Sequence, residues 1–307
     1  MNVPAAAAPA AGSAMPLPFA ARLAAWMPKL VIAPSFLLAF FFIYVMMAWN
    51  GYLSLSASRL LPNYEFVGVE QYVNLFESER WWVAMKNLAI FGSLFIFFGM
   101  AIGLLLAILL DQKIRAEGVL RTVYLYPMAL SFIVTGTAWK WILNPGLGLE
   151  KVLQGWGFES FQFDWLINPD RAIYTVVIAG VWQSAGFVMA LFLAGLRGID
   201  DSILKAAQID GASLPRIYWR IVIPSLRPVF FSTLMVLSHL AIKSFDLVMA
   251  LTAGGPGFAT DMPATFMYTM AFSRGQIGLG AASATIMLAT VAAIVVPYLY
   301  SELRARK

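Results

Sequence analysis

The sequence contains no cysteine and a single histidine, His239, in 307 residues. Disulfides, thiolate nucleophiles and Cys-ligated zinc or iron–sulfur centres are therefore excluded. One imidazole also removes every two-His metal motif, so no metal site is expected. Charge is scarce: 12% of residues are charged against 61% hydrophobic, too few to clothe a water-soluble surface. With a mean hydropathy of +0.76, the composition places the chain in a bilayer. No polar low-complexity region is present, which excludes disorder. The pI near 9.4 is read as membrane orientation, and no nucleic-acid partner is expected. No Gly-x-x-x-x-Gly-Lys-Ser/Thr run occurs, so the chain has no phosphate loop of that type for ATP.

What is present is a series of apolar runs. A helix needs about 20 mainly apolar residues to cross a ~30 Å hydrocarbon layer, because only there can its backbone groups pair internally. Six stretches qualify, at 30–51, 87–110, 122–143, 173–196, 229–251 and 279–300. Lys and Arg concentrate at both termini and in the connections before the third and fifth spans. Only Arg59, Arg80, Lys86, Lys151, Arg171 and Arg274 fall on the other side. Both termini are expected in the cytoplasm of an inner membrane. Residues 1–28 read as a flexible cytoplasmic tail, because Pro4, Pro9, Pro16 and Pro18 interrupt any long helix and no secretory signal pattern is present. The connections at 52–86 and 144–172 carry Trp81, Trp82, Trp156 and Trp165, which suits rings at the headgroup level.

The connection at 197–228, RGIDDSILKAAQIDGASLPRIYWRIVIPSLRP, is long for a link between spans. It predicts helix, turn, helix. Asp200, Asp201 and Ser202 offer N-caps, Gly211 can adopt the left-handed conformation that ends a helix, Ser213 and Pro215 open the second helix, and Pro224 stops it. Ala206 and Ala207, bracketed by Ile203 and Ile209, give the first helix a face almost free of side chains. Physics leaves two readings open: a helix that docks in another protein's groove, or an interfacial helix with Ile217, Tyr218 and Ile221 dipping inward and Arg216 and Arg220 snorkelling.

The stretch LKAAQIDGASLPRIYWRIVIP resembles the "EAA" coupling loop of bacterial ABC-importer permeases, with Ala206, Ala207, Asp210, Gly211, Ala212 and Pro224 standing where that pattern wants them. FVGVEQYVNLF (66–76), LTAGGPGFAT (251–260) and YTMAFSRGQIGLGAASA (268–284) resemble the carbohydrate-permease branch, in the same order. Lys205 replaces the family's Glu, which reverses the local charge. The resemblance implies an all-α membrane protein: a type I ABC importer permease fold of six transmembrane helices over 29–307, with a cytoplasmic helix-turn-helix coupling loop at 197–228. It implies a non-catalytic transport subunit paired with a second homologous permease. Two cytoplasmic ATPase subunits would bind ATP and magnesium, and a periplasmic sugar-binding protein would deliver the sugar. This chain would itself bind no cofactor. RTVYLYPMALSFIVTGTAWKWILNPGLGLEK (121–151) and VPYLYSELR look similar to glucose and mannose importer permeases of Gram-negative bacteria, implying a monosaccharide, glucose first and mannose second.

Sugar hydroxyls inside a bilayer need polar partners and an aromatic face. The fourth span offers Trp182, Gln183, Ser184 and Phe187, close to positions that line the pocket in maltose-type relatives; helix-to-helix contact is the competing reading. The fifth offers Ser238, His239, Lys243 and Asp246, the last three spaced to share one helical face, with a self-neutralising Lys243–Asp246 pair as the alternative to sugar contact. Gly254–Gly257 reads as a tight outer turn, with Thr252–Thr260 as a contact for the binding protein. Gly278, Gly280, Ala281, Ala282 and Ala284 suit close helix packing. Rival classes are an ion-coupled secondary transporter using Asp246, disfavoured by the lack of a detectable inverted repeat, and an integral-membrane sugar or lipid transferase, disfavoured by sparse acids and bases at membrane depth.

Overall fold

A computed structural model describes residues 19–61, 63–112 and 114–305. Among these the chain is helical, apart from one isolated bridge between Ser56 and Phe66. Residues 1–18 of the expected tail lie outside the described residues, as do Lys113, Arg306 and Lys307. Residues 19–28, also assigned to that tail, are helical.

The chain divides into Met1–Trp49 and Asn50–Lys307. In the first unit, helix Phe19–Phe40 runs through a π turn at Phe41–Val45 into the start of helix Met46–Leu53, whose last four residues belong to the second unit. Pro28 and Pro34 stand within it. From Leu30 to Met47 its exposed side chains are apolar on nearly every face, with Lys29 over the Trp26 ring just before them, as expected of a helix whose solvent is lipid.

The second unit is built around helix Ala172–Arg197. Of its most apolar stretch 72% is buried, against 28% for helix Glu79–Leu110 and 22% for the last span, Ile277–Tyr298, so the fourth span is the centre of the bundle. It meets Glu79–Leu110 closely because Gly103 faces Val188 and Gly180 faces Phe91 and Phe95. Helix Arg227–Ile242 closes the same core through Leu237 and Ala241, opposite Gly99 and Gly92. A smaller cluster of Leu75, Trp81, Ala84, Phe266, Met270 and Ala282 sits at the end formed by residues 70–84 and 262–282. Trp81 belongs to it, 1% exposed and edge-on to Phe266. The expectation of a headgroup-level ring therefore fails for Trp81, while Trp82 and Trp156 are exposed. Gly278 and Gly280 lie against Ser56 and Ala271, so the small-residue run of the sixth span serves packing.

Among the described residues four helices are long and apolar enough to cross a membrane, or up to six if each bent pair counts as one span. Two predicted spans are not straight. The third breaks between helices Glu117–Ala129 and Phe132–Ile142 with a bend of 100°. Pro127 removes a backbone donor just before the break, Leu130 and Ser131 are extended, and the Ser131 hydroxyl caps the next helix by accepting from the Val134 N–H at 3.3 Å. The fifth ends at Ile242. Residues 243–245 leave the helix and a short helix, Asp246–Leu251, follows. His239, Lys243 and Asp246 therefore do not share one helical face, and no Lys243–Asp246 ion pair forms among the described residues.

Candidate functional site: the 197–228 loop and the break after Ile242

The loop at 197–228 forms the helix, turn and helix that its sequence predicts, and departs from it only at Pro224. Asp200 is the N-cap of helix Asp201–Ile209, its carboxylate accepting from the Ser202 N–H at 2.8 Å. That bond, with a further one from the Ser202 side chain, holds the Asp200 carboxyl below the usual carboxylate range. At the other end Gly211, with φ of +76°, lets its own N–H reach the Gln208 carbonyl and the Ala212 N–H reach that of Ala207, each at 3.0 Å. These two bonds are a Schellman motif, and the left-handed residue is the one position where glycine is needed. Pro224 does not end the second helix as expected. Helix Leu214–Ile217 continues through a π turn at Tyr218–Val222 into Ile223–Ser225. The wider turn precedes Pro224, which has no N–H to return to it. The axis then bends by 63° into helix Arg227–Ile242.

The first helix is two-sided. Ala207 is 9% exposed and, with Leu204, packs on the bundle core, whereas Ile203, Ala206 and Ile209 face outward, Ile209 being 86% exposed. The two alanines thus divide: Ala207 seats the loop and Ala206 lies on the free face. Lys205 approaches Asp201 of its own helix at 4.0 Å, both side chains mostly exposed. The reversed charge therefore meets an acid one turn away. Beside the loop, Arg197 binds Glu117 at 2.6 Å and approaches Asp111 at 4.0 Å, tying the end of the fourth span to the start of the broken third.

The span residues predicted to contact substrate are not all brought together. Trp182 is 42% exposed, edge-on to Trp139, and lines an apolar groove of about 1160 Å³. Gln183 is 3% exposed, and its amide donates to the Leu130 carbonyl at 2.8 Å, satisfying a group freed by the break in the third span. Its Oε1 is buried without a protein partner. Ser184 is buried and Phe187 half-buried, and on the fifth span Ser238 is buried while His239 is exposed. Lys243 and Asp246 both line a cavity of about 170 Å³, together with Phe91, Phe95, Phe132, Gly180 and Leu240. Ser244 lies in the same wall with a buried, unpartnered hydroxyl. Sequence reasoning missed Ser244; the signal was the polar run Lys243-Ser244 in an apolar segment, which marks the helix end.

At the other end of the bundle, Thr252 and Thr260 share a hydrogen bond at 2.7 Å and Thr260 donates to the Gly255 carbonyl at 2.8 Å, closing the Gly254–Gly257 turn on itself. Asp261, 1% exposed, is gripped by Arg80 at 2.5 Å, while Asn87 donates to its carbonyl at 2.9 Å. Arg80 also donates to Thr269 at 3.3 Å and stacks on Phe258.

No group of three or more metal-ligating side chains occurs among the described residues. A probable ABC transporter permease of Pyrococcus horikoshii is 40% identical over 88% of this chain and 94% of its own. The xylose/arabinose import permease XacH of Haloferax volcanii is 38% identical over 78% and 76%. Among solved structures, a bacterial ABC transporter involved in import of the acidic polysaccharide alginate superposes with a TM-score of 0.80 over 92% of this chain and 96% of that one, at 20% identity. That likeness assigns the type I importer permease fold. Residues 99–305 match the family described as binding-protein-dependent transport system inner membrane component; the chain belongs to that family, as a non-catalytic membrane permease subunit of an ABC transporter.

Proposed function

We propose that this chain is one of two permease subunits of an ATP-driven importer of a neutral monosaccharide, glucose first and mannose second, in a bacterial inner membrane with both termini cytoplasmic. The observation that carries the reading is the rigid, two-sided helix Asp201–Ile209: capped at both ends, seated through Leu204 and Ala207, and presenting Ile203, Ala206 and Ile209 outward. Such a helix transmits a push without absorbing it. Two partner ATPase subunits, holding ATP and magnesium, would grip this face. Their closure would rock the bundle between inward-open and outward-open states.

The sugar path runs by the break after Ile242, where Lys243, Ser244 and Asp246 stand beside Phe91, Phe95 and Phe132. Polar groups beside ring faces match a hexose, which has hydroxyls at its edge and C–H groups on its face. At about 170 Å³ the cavity falls below the ~300 Å³ of ordinary ligand pockets. A second homologous permease facing the break would complete it. Among the described residues no arginine lines this cavity, which favours a neutral ligand over a phosphorylated or acidic one. The sugar arrives on a periplasmic binding protein docked near Thr252–Thr260.

The test is reconstitution of the chain with its permease partner, ATPase subunits and binding protein, followed by ATPase stimulation across glucose, mannose, xylose, arabinose and a disaccharide. Stimulation strongest with glucose is expected. Uptake driven by an ion gradient without ATPase subunits would defeat the reading.

A further inference from the structure

Helix Leu214–Ser225 has an outward face that the coupling role does not use. Ile217 and Val222 are each 3% exposed in the bundle core, Ile221 packs beside them, and Tyr218 is held from the bundle side by Gln112 at 3.2 Å. The apolar side chains expected to dip into a membrane are thus already spent on the protein. On the outward face, past the exposed Leu214 and Pro215 at its start, stand Arg216, Trp219 and Arg220, with Trp219 72% exposed. Among the described residues neither guanidinium has a carboxylate within ion-pair distance.

From this arrangement we propose that Arg216, Trp219 and Arg220 form a binding site for anionic phospholipid headgroups. Geometry supplies the first argument. The segment is about 18 Å long at 1.5 Å per residue, and its axis bends 63° from the span that follows. With that span along the membrane normal, the segment advances only about 8 Å along the normal, comparable to the ~5–8 Å of headgroup region on each side of the hydrocarbon. The segment therefore lies within the headgroup layer instead of projecting through it. Chemistry supplies the second. Guanidinium forks match the oxygens of a phosphate diester, and an indole with one apolar edge and one N–H is at home at that depth. The bilayer placement rests on the family membership, and the site depends on neither the choice of sugar nor the grip of an ATPase.

The experiment uses the full-length chain in detergent, titrated with phosphatidylglycerol or phosphatidylcholine and read by native mass spectrometry. One basic side chain near an anionic surface is worth roughly fivefold in binding. Wild type should retain phosphatidylglycerol about 25-fold better than the Arg216→Gln/Arg220→Gln variant, with phosphatidylcholine retained equally by both. The Arg216→Lys/Arg220→Lys variant should keep most of the preference, which separates lost charge from lost folding. In vesicles, brominated phosphatidylglycerol should quench a fluorescence component that Trp219→Phe lacks. Equal retention of the two lipids by wild type, undiminished retention by the Gln variant, or quenching unchanged in Trp219→Phe would overturn the proposal. So would a photocrosslinker at position 219 that captures an ATPase subunit in the assembled complex in place of lipid. A complex that fails every sugar in the ATPase assay, yet binds lipid as described, defeats the transport reading alone.

Discussion

The Arg80–Asp261 pair can be tested by a double-mutant cycle. Asp261 is 1% exposed and Arg80 14% exposed, with 2.5 Å between Nε and Oδ2. Arg80→Met leaves a buried carboxylate whose other partner is the Thr265 hydroxyl. Asp261→Leu leaves a guanidinium with Thr269 and the Phe258 face. Stranding one member of a buried pair costs about 3–5 kcal/mol. Arg80 can regain some water through its exposed fraction, so Asp261→Leu should sit near ~3 kcal/mol and Arg80→Met near the upper end. The double variant buries two apolar side chains of similar length and strands nothing. It should unfold within about 1–2 kcal/mol of wild type, a coupling of several kcal/mol between the sites. Unfolding of the purified chain in mixed micelles, followed by loss of helical signal, reads all four corners. A double variant as unstable as the sum of the singles would show that the pair is not what holds the segment around Asp261 to helix Glu79–Leu110.

Gly211→Val should insert normally but separate ATP hydrolysis from uptake in the assembled complex, because a β-branched residue resists φ of +76°; undiminished uptake would remove the turn from the mechanism. Gln183→Ala strands the Leu130 carbonyl and should destabilise the chain by about 1–3 kcal/mol in the same micelle assay, whereas unchanged stability would mean that the break satisfies itself. Because the Asp200 carboxyl is held below the usual carboxylate range, its cap is fully present above the unfolded pKa and is lost only as pH falls through the lowered folded value. Amide exchange at Ser202 should therefore stay protected at neutral and mildly acidic pH and lose protection below about pH 4. Loss of protection already near neutral pH would show that the cap is not carboxylate-based.

The helix-turn-helix at 197–228 was legible because its determinants are local, a capping Asp and a Gly four residues after Ala207; that Ala207 turns into the bundle while Ala206 stays outside depends on the packing partner and was not. The spans were legible as lengths of apolar chain but not as shapes. Residues 122–143 satisfy hydropathy as one piece, yet Pro127 and Ser131 end one helix and begin another. Their signature of a missing donor followed by a capping hydroxyl was readable, and the unbroken hydrophobicity masked it. The same masking hid the end of the fifth span, where placing Lys243 and Asp246 on one helical face required a helix that stops at Ile242. Arg80–Asp261 could not be read at all, since 181 residues separate its members and nothing near either one in sequence marks the other.

The two breaks also explain why the polar residues of the membrane region divide as they do. A break frees backbone groups that hydrocarbon cannot satisfy, so each must be served by protein or line a wet space. At Leu130 the service is internal: the Gln183 amide donates to the carbonyl, and the side chain is 3% exposed. At residues 243–245 no side chain closes the account in this way, and the Ser244 hydroxyl is left buried and unpartnered beside a cavity. The first break is therefore served by a side chain of the protein itself, and the second is where the sugar path proposed above would meet an unpartnered hydroxyl. Converting Ser244 to Ala should lower sugar transport with little change in stability, the opposite pattern to Gln183→Ala. If instead Ser244→Ala destabilises the chain and leaves transport intact, the sugar path does not pass the fifth span.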